Sequence, residues 1–184
     1  MSFKFIPTAI PDAVIVEPKV FGDARGFFME TWSNSDFEAG NICADFVQDN
    51  HSASEQGVLR GLHYQIKQPQ GKMVRIVAGE VFDVVVDLRQ GSPTFGKWVG
   101  VTLSAENKRM FWVPPGFAHG FYVVSKFAEF VYKCTDLYAP EYERSILWSD
   151  QDLAIDWPLV NGKHPQLSKK DNLGTAFKDA DYYP

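Results

Sequence analysis

The sequence predicts a mainly β (all-β) fold: a double-sheet jelly roll or small barrel with a few short helices. Short strand-like runs follow one another closely from residue 58 onward, separated by glycine and proline breakers. Long helical patterns are scarce. Aromatic residues make up 15% of the chain, with 15 Phe, 7 Tyr and 5 Trp, and flat rings pack well on pleated surfaces. No repeat, low-complexity tract or linker divides the 184 residues, so a single domain is expected over 1–184, ending in a loop-rich tail from about residue 140.

The elements follow in order. A first strand is expected over 12–17 after Pro11, then a turn over 21–26 and a strand-like run over 27–32. Residues 33–39 suit a short helix capped by Ser33 or Ser35. Strands are expected at 58–65, 72–78, 81–88, 97–103, 109–113, 120–124 and 127–136. Gly79-Glu80 is a tight link between two of them, and Gly91-Ser92-Pro93 and Pro114-Pro115-Gly116 are breakers. Trp148, Trp157 and several prolines mark a packed tail, with a short helix expected near 150–154.

Within Val58 to Gln65 and on to Lys72, three basic side chains, Arg60, His63 and Lys72, interrupt otherwise apolar strands. A core strand has no need of them, whereas a pocket that binds an anion and moves a proton does. Alternation puts Lys72 on one face with Val74 and Ile76, and Tyr132 with Ala128, Phe130 and Cys134. Both therefore carry the inward parity, where a lysine is costly without a partner or ligand. Arg60 and His63 fall on opposite parities in a regular strand; a bulge at Gly61 would turn both toward one cavity, and the competing case is a regular strand with Arg60 outside.

Net charge is −5, with no Lys/Arg run, which argues against a nucleic-acid partner. No apolar run reaches membrane-spanning length and the first residues have no signal-like apolar core, so a cytoplasmic protein is expected. Cys43 and Cys134 read as two reduced thiols, Cys134 inside a strand. No G-x-G-x-x-G fingerprint offers a dinucleotide site.

Pro114 to His119 has the form P-x-G-x-x-H, which resembles the second cupin motif. The first cupin motif would have a histidine where Gln65 stands, leaving too few ligands for a catalytic metal; the pocket is therefore read as metal-free. Further blocks match a more specific family: Phe21 to Phe28, Phe46 to Ser52, Val58 to Gln65, Gly71-Lys72, Gly79 to Val84, Leu103 to Lys108, Pro115 to Phe121 and Ser145 to Trp148. Together, spanning about residues 7 to 175, they resemble the dTDP-4-dehydrorhamnose 3,5-epimerase family, a cupin-like jelly roll.

That resemblance implies cofactor-independent epimerisation at C3 and C5 of a dTDP-linked 4-keto-6-deoxyhexose. It implies His63 as the base, paired with Asp171, Lys72 as the cation facing the enolate oxygen, and Tyr132 as the acid on the opposite face. It implies Arg25, Arg60 and Lys170 on the diphosphate, and Phe28, Glu30, Gln48, Asn50, His119 and Glu143 against the rest of the substrate. A homodimer with an exchanged N-terminal strand is implied as well. The alternatives are an epimerase of one centre only, with segment 135–139 as the place to look for the difference, a metal-dependent cupin, and a non-catalytic sugar-nucleotide binder.

Overall fold

The computed structural model describes residues 2–184. Thirteen strands run in chain order: β1 Phe3–Pro7, β2 Val14–Pro18, β3 Val20–Asp23, β4 Gly26–Met29, β5 Gln48–Glu55, β6 Leu59–Gln65, β7 Lys72–Ala78, β8 Glu80–Asp87, β9 Trp98–Ser104, β10 Met110–Val113, β11 Phe117–Val123, β12 Phe127–Cys134 and β13 Glu143–Ser145. Two short α-helices, α1 Asn34–Ala39 and α2 Lys169–Asn172, complete the set with three 3-10 turns. One sheet has the order β1-β2-β10-β7-β12-β5 and the other β13-β6-β11-β8-β9, while β3 and β4 form a separate hairpin. Neighbouring strands are antiparallel, as a jelly roll requires.

Alternation explains the layers. Val74 and Ile76 of β7, Val81 and Val85 of β8, Phe117, Phe121 and Val123 of β11, and Ala128 and Phe130 of β12 meet between the two sheets. The opposite residues of β8 and β11, among them Val84, Val86, Ala118 and Tyr122, pack beneath the tail with Leu153 and Trp157. These central strands are thus buried on both faces, and their sequences read as nearly continuous apolar runs. On the far side of the six-stranded sheet, Phe37 of α1 packs with Phe3, Met73, Met110 and Trp112.

The predicted strands from 58 onward are present, 72–78 to the residue and 120–124 lengthened to Phe117–Val123. Three expectations change. Residues 21–26 are no simple turn: they belong to the β3–β4 hairpin, whose strand residues are exposed save for half-buried Met29. The helix expected near 150–154 is a single turn, because the Asp150 carboxylate takes the N–H groups of Asp152 and Leu153; the tail's short helix is α2 instead. The expected first strand is really the second. β1 precedes it and pairs along its full length with β2 of the same chain. β5 has no counterpart among the expected strands: Gln-Asp-Asn-His-Ser-Ala-Ser-Glu has none of the β-branched or aromatic residues that signal a strand. Pairing with β12 over eight residues holds it in place.

Candidate active site

The site grows from a bulge in β6. Pairing with β11 passes from His119 opposite His63 to Phe121 opposite Arg60, so three steps on β6 match two on β11. Gly61 takes φ +120, and a Cβ there would stand 2.5 Å from the Cα of Gly120, so the close approach of the two backbones depends on glycine. Leu59, Leu62 and Tyr64 consequently all pack under the tail. Arg60 and His63, opposite in a regular strand, come to share the other face.

His63 Nε2 lies 2.5 Å from Asp171 Oδ1. Asp171 is 2% exposed and sits in the first turn of α2, whose N-cap Ser168 accepts its backbone N–H and donates its hydroxyl to Oδ2 at 2.6 Å. The backbone N–H of Gly61 also donates to Oδ1, so the bulge itself holds the carboxylate. Burial alone would push the Asp171 carboxyl up; the bonds from His63 and Ser168 outweigh it and hold the pKa at about 2. Burial pushes His63 down from its ordinary value, only partly opposed by Asp171. The imidazole is thereby neutral at pH 7, and with Nε2–H on the carboxylate its Nδ1 is left as an acceptor.

His63, Lys72, Tyr132 and Glu143 line one small cavity of about 90 Å³, together with Tyr64, Gln65, Gln70, Phe117, Tyr138 and Tyr183. Lys72 enters from the start of β7 and makes no hydrogen bond or ion pair with any described residue; burial pushes its pKa down, while Cys134, Asp83 and Glu143 oppose that shift. Tyr132, on β12 opposite Asn50 of β5, is likewise unbonded at its hydroxyl among the described residues. Burial pushes its pKa up, so the phenol keeps its proton. At the rim, Glu143 joins Lys170 at 2.7 Å and accepts from the Tyr138 hydroxyl at 3.0 Å. Burial would raise the Glu143 carboxyl, but these two partners bring it below its ordinary value.

Other expected residues stand further off. Arg60 is exposed beside β5, bonded to Ser54 Oγ and close enough to Tyr132 to oppose the rise in its pKa. Asn50 donates to Cys134 Sγ at 3.5 Å, and Gln48 accepts the backbone N–H of Tyr138 at 2.9 Å. His119 is buried with Nε2 3.0 Å from both oxygens of Asp83, and it does not line the cavity. Arg25, Phe28 and Glu30 belong to the exposed hairpin and the residue just after it, and none lines the cavity. Arg25 instead pairs with Asp23 at 2.6 Å. A larger groove of about 560 Å³ runs past Pro7, Asp12 and Trp112, but its arginine, Arg89, is committed to Asp12 and Asp87 and no acid–base pair faces it.

From sequence alone Asp83 has no assigned role, Gln65 stands only in place of an absent second histidine, and Tyr138 is only part of segment 135–139. Asp83 had a legible signal, since it shares the inward parity of Val81 and Val85. Ser168, three residues before Asp171, had another in its capping pattern. Among the described residues no three His, Cys, Asp or Glu side chains converge as metal ligands would. Gln65, at the position of a cupin's second histidine, spends its amide on the main chain of 68, 137 and 139.

The chain resembles known proteins along nearly its whole length. A family model described as dTDP-4-dehydrorhamnose 3,5-epimerase matches residues 7–179. The dTDP-4-dehydrorhamnose 3,5-epimerase of Pseudomonas aeruginosa is 63% identical over 177 residues, covering 96% of this chain and 97% of its own. That of Shigella flexneri is 61% identical over 180 residues, covering 97% and 98%. The crystal structure of the dTDP-6-deoxy-D-glucose-3,5-epimerase from Legionella pneumophila, in complex with dTDP-4-keto-L-rhamnose, superposes with a TM-score of 0.94 at 57% identity, covering 97% of this chain and 95% of the other.

Proposed function

The chain belongs to the dTDP-4-dehydrorhamnose 3,5-epimerase family, and from that premise we infer what its pocket does. The protein is an isomerase that inverts C3 and C5 of dTDP-4-dehydro-6-deoxy-D-glucose, giving dTDP-4-dehydro-L-rhamnose for dTDP-L-rhamnose synthesis. Both centres flank the C4 ketone, so each C–H bond can be broken with its electron pair moving into an enolate.

His63 is the base, with Nδ1 taking the proton and Asp171 stabilising the imidazolium that results. Lys72 faces the enolate oxygen as charge develops there. Tyr132 returns a proton to the opposite face of the carbon; before the second centre reacts, His63 releases the proton it took to solvent and the Tyr132 phenolate takes one from solvent, which restores both groups. The observation that carries this reading is that a histidine held by a carboxylate, and a lysine and a phenol without hydrogen-bond partners among the described residues, open onto one cavity. Both Lys72 and Tyr132 are left free, among the described residues, for groups the protein does not itself supply.

Glu143 and Lys170 at the rim, and Arg60 further off beside β5, are assigned to the sugar and diphosphate together with Gln48 and Asn50; buried His119, bonded to Asp83, is assigned to holding β11 opposite His63 rather than to the substrate. Arg25, Phe28 and Glu30 are assigned to the same substrate across a homodimer. Phe21, Phe27 and Phe28 are 50%, 60% and 67% exposed, an apolar arm that a second copy would cover. The N-terminal strand is not the exchanged element on this reading, since β1 already pairs with its own β2. Residues 1–184 act as one unit, and the unpaired thiols of Cys43 and Cys134 suit a reducing cytoplasm.

The test is incubation with the dTDP-4-keto sugar in D2O, followed by NMR. Deuterium at both C3 and C5 with inversion is expected. Deuterium at one centre alone selects a single-centre epimerase, and none at either defeats the reading.

A further inference from the structure

The segment between β12 and β13 is held in an unusual way. Three glutamine side chains, from β5, β6 and the loop before β7, take up its main-chain groups in succession. Gln70 Nε2 donates to the carbonyl of Asp136 at 2.8 Å. Gln65 Nε2 donates to the carbonyl of Leu137 at 3.3 Å, and Gln65 Oε1 accepts the N–H of Ala139 at 2.9 Å. Gln48 Oε1 accepts the N–H of Tyr138, between them, at 2.9 Å. Gln65 is 5% exposed and its amide also donates to the Gln68 carbonyl, so both ends of the group are used.

What this fixes is a side chain that would otherwise move. Tyr138 is 53% exposed, yet it lines the cavity of His63, Lys72 and Tyr132, and its hydroxyl is tied to Glu143. Glu143 and Gln65 are themselves opposite one another across β13 and β6. A half-exposed tyrosine on a loop keeps rotamer freedom unless its backbone and its tip are both anchored. An amide is the side chain that can satisfy a carbonyl and an N–H together without adding charge beside Lys72; a carboxylate or an ammonium could serve only one of them.

We propose that Gln65 is a positioning residue that clamps segment 136–139 so that Tyr138 walls the cavity, keeping the once-inverted sugar bound until its second centre reacts. The inference rests on the two-centre epimerisation above. Two proton transfers at different carbons demand that the intermediate stay longer than one chemical step. A wall pinned at main chain and tip slows its escape, while a loose wall lets it leave.

The test compares wild type with Gln65→Met, Tyr138→Ala and the double variant at a temperature where melting curves show all four folded. Gln65→Met is expected to raise KM about fivefold, with a smaller loss in kcat, and to release singly inverted sugar that wild type does not accumulate. Tyr138→Ala, altered at an exposed position, should do the same. Adding Gln65→Met to it should change neither KM nor the product ratio further, because the clamp acts through that ring. With Gln65→Glu, the introduced carboxylate faces two carbonyls when ionised and regains a donor when protonated, so its KM should approach the wild-type value as pH falls. Wild-type KM and product ratio in folded Gln65→Met, or full additivity with Tyr138→Ala, would overturn the clamp while leaving the epimerase reading intact. Absence of exchange at either centre in the wild-type protein overturns both.

Discussion

Asp171→Asn tests the His63 dyad most directly. The carboxyl falls from 3.8 to about 2 because its charged form is held by His63, Ser168 and the Gly61 N–H. At 1.36 kcal/mol per pKa unit this corresponds to roughly 2–3 kcal/mol, undiminished by solvent because the side chain is almost wholly buried. When His63 takes the substrate proton, the imidazolium depends on that same charge. Its loss should lower kcat by roughly 30- to 200-fold, at tenfold per 1.36 kcal/mol. Asn is nearly isosteric and can still accept from Nε2, so the fold should survive. Asp171 also opposes the fall in the pKa of His63, so in the variant the acid limb of kcat/KM moves to lower pH. The stability signature has the opposite origin. A carboxyl with a depressed folded pKa contributes stability that is present above the unfolded value near 3.8 and is lost as pH falls toward about 2. Wild type should therefore lose melting temperature more steeply than Asp171→Asn over that window. The assay is the initial rate of deuterium incorporation at C3 and C5 across pH 5–9, with thermal melts from pH 2 to 7. A variant within about threefold of wild-type kcat and with an unmoved acid limb would refute the dyad.

Lys72→Met should lose about 10²- to 10³-fold in kcat yet melt at a higher temperature, because a lysine amine that burial disfavours, without a partner among the described residues, has been removed from a half-buried site; a lower melting temperature would show that Lys72 has a structural partner. Tyr132→Phe should still wash deuterium into the substrate through His63 while inverting little of it, and equal loss of exchange and inversion would remove Tyr132 from its role as acid. Mixing His63→Ala with Arg25→Ala protein should restore roughly a quarter of wild-type activity, since half of randomly mixed dimers are hybrid and each holds one intact site; mixtures no better than the separate variants would place Arg25 outside the site. Gly61→Ala should destabilise by about 2–4 kcal/mol, from a Cβ pressed to 2.5 Å of Gly120 and a φ of +120 that alanine resists, and a denaturant midpoint close to wild type would contradict the close packing at the bulge.

Much of the site was legible because period-two alternation is a strong rule. Lys72 and Tyr132 were placed inward by their apolar neighbours alone, and Val74, Ile76 and Phe130 do lie in the core beside them. The Gly61 bulge was legible as a conflict, since Arg60 and His63 could take one face only if alternation broke between them, and glycine is the residue that lets it break; the expected shared cavity does not follow, because Arg60 stays exposed beside β5. β5 was not legible, because a polar half-exposed strand owes its conformation to β12 rather than to its own residues. Nor was the role of the 150–154 region, where one Asp150 carboxylate captures the N–H groups a helix would have used.

The sequence by itself determined the β class, the inward parity of Lys72 and Tyr132 and the family, since these follow from local alternation and from ordered blocks along the chain; the bulge it offered only as one of two cases. Only the tertiary structure decided which distant residues meet. It brought Asp171 over 108 positions to His63, committed His119 to Asp83, and set Gln65 to holding the loop that carries Tyr138. It also left Arg25, Phe28 and Glu30 outside the cavity of their own subunit. Alternation states which face a side chain takes; what it meets there is set by the packing of sheet on sheet and tail on sheet, which no local pattern encodes.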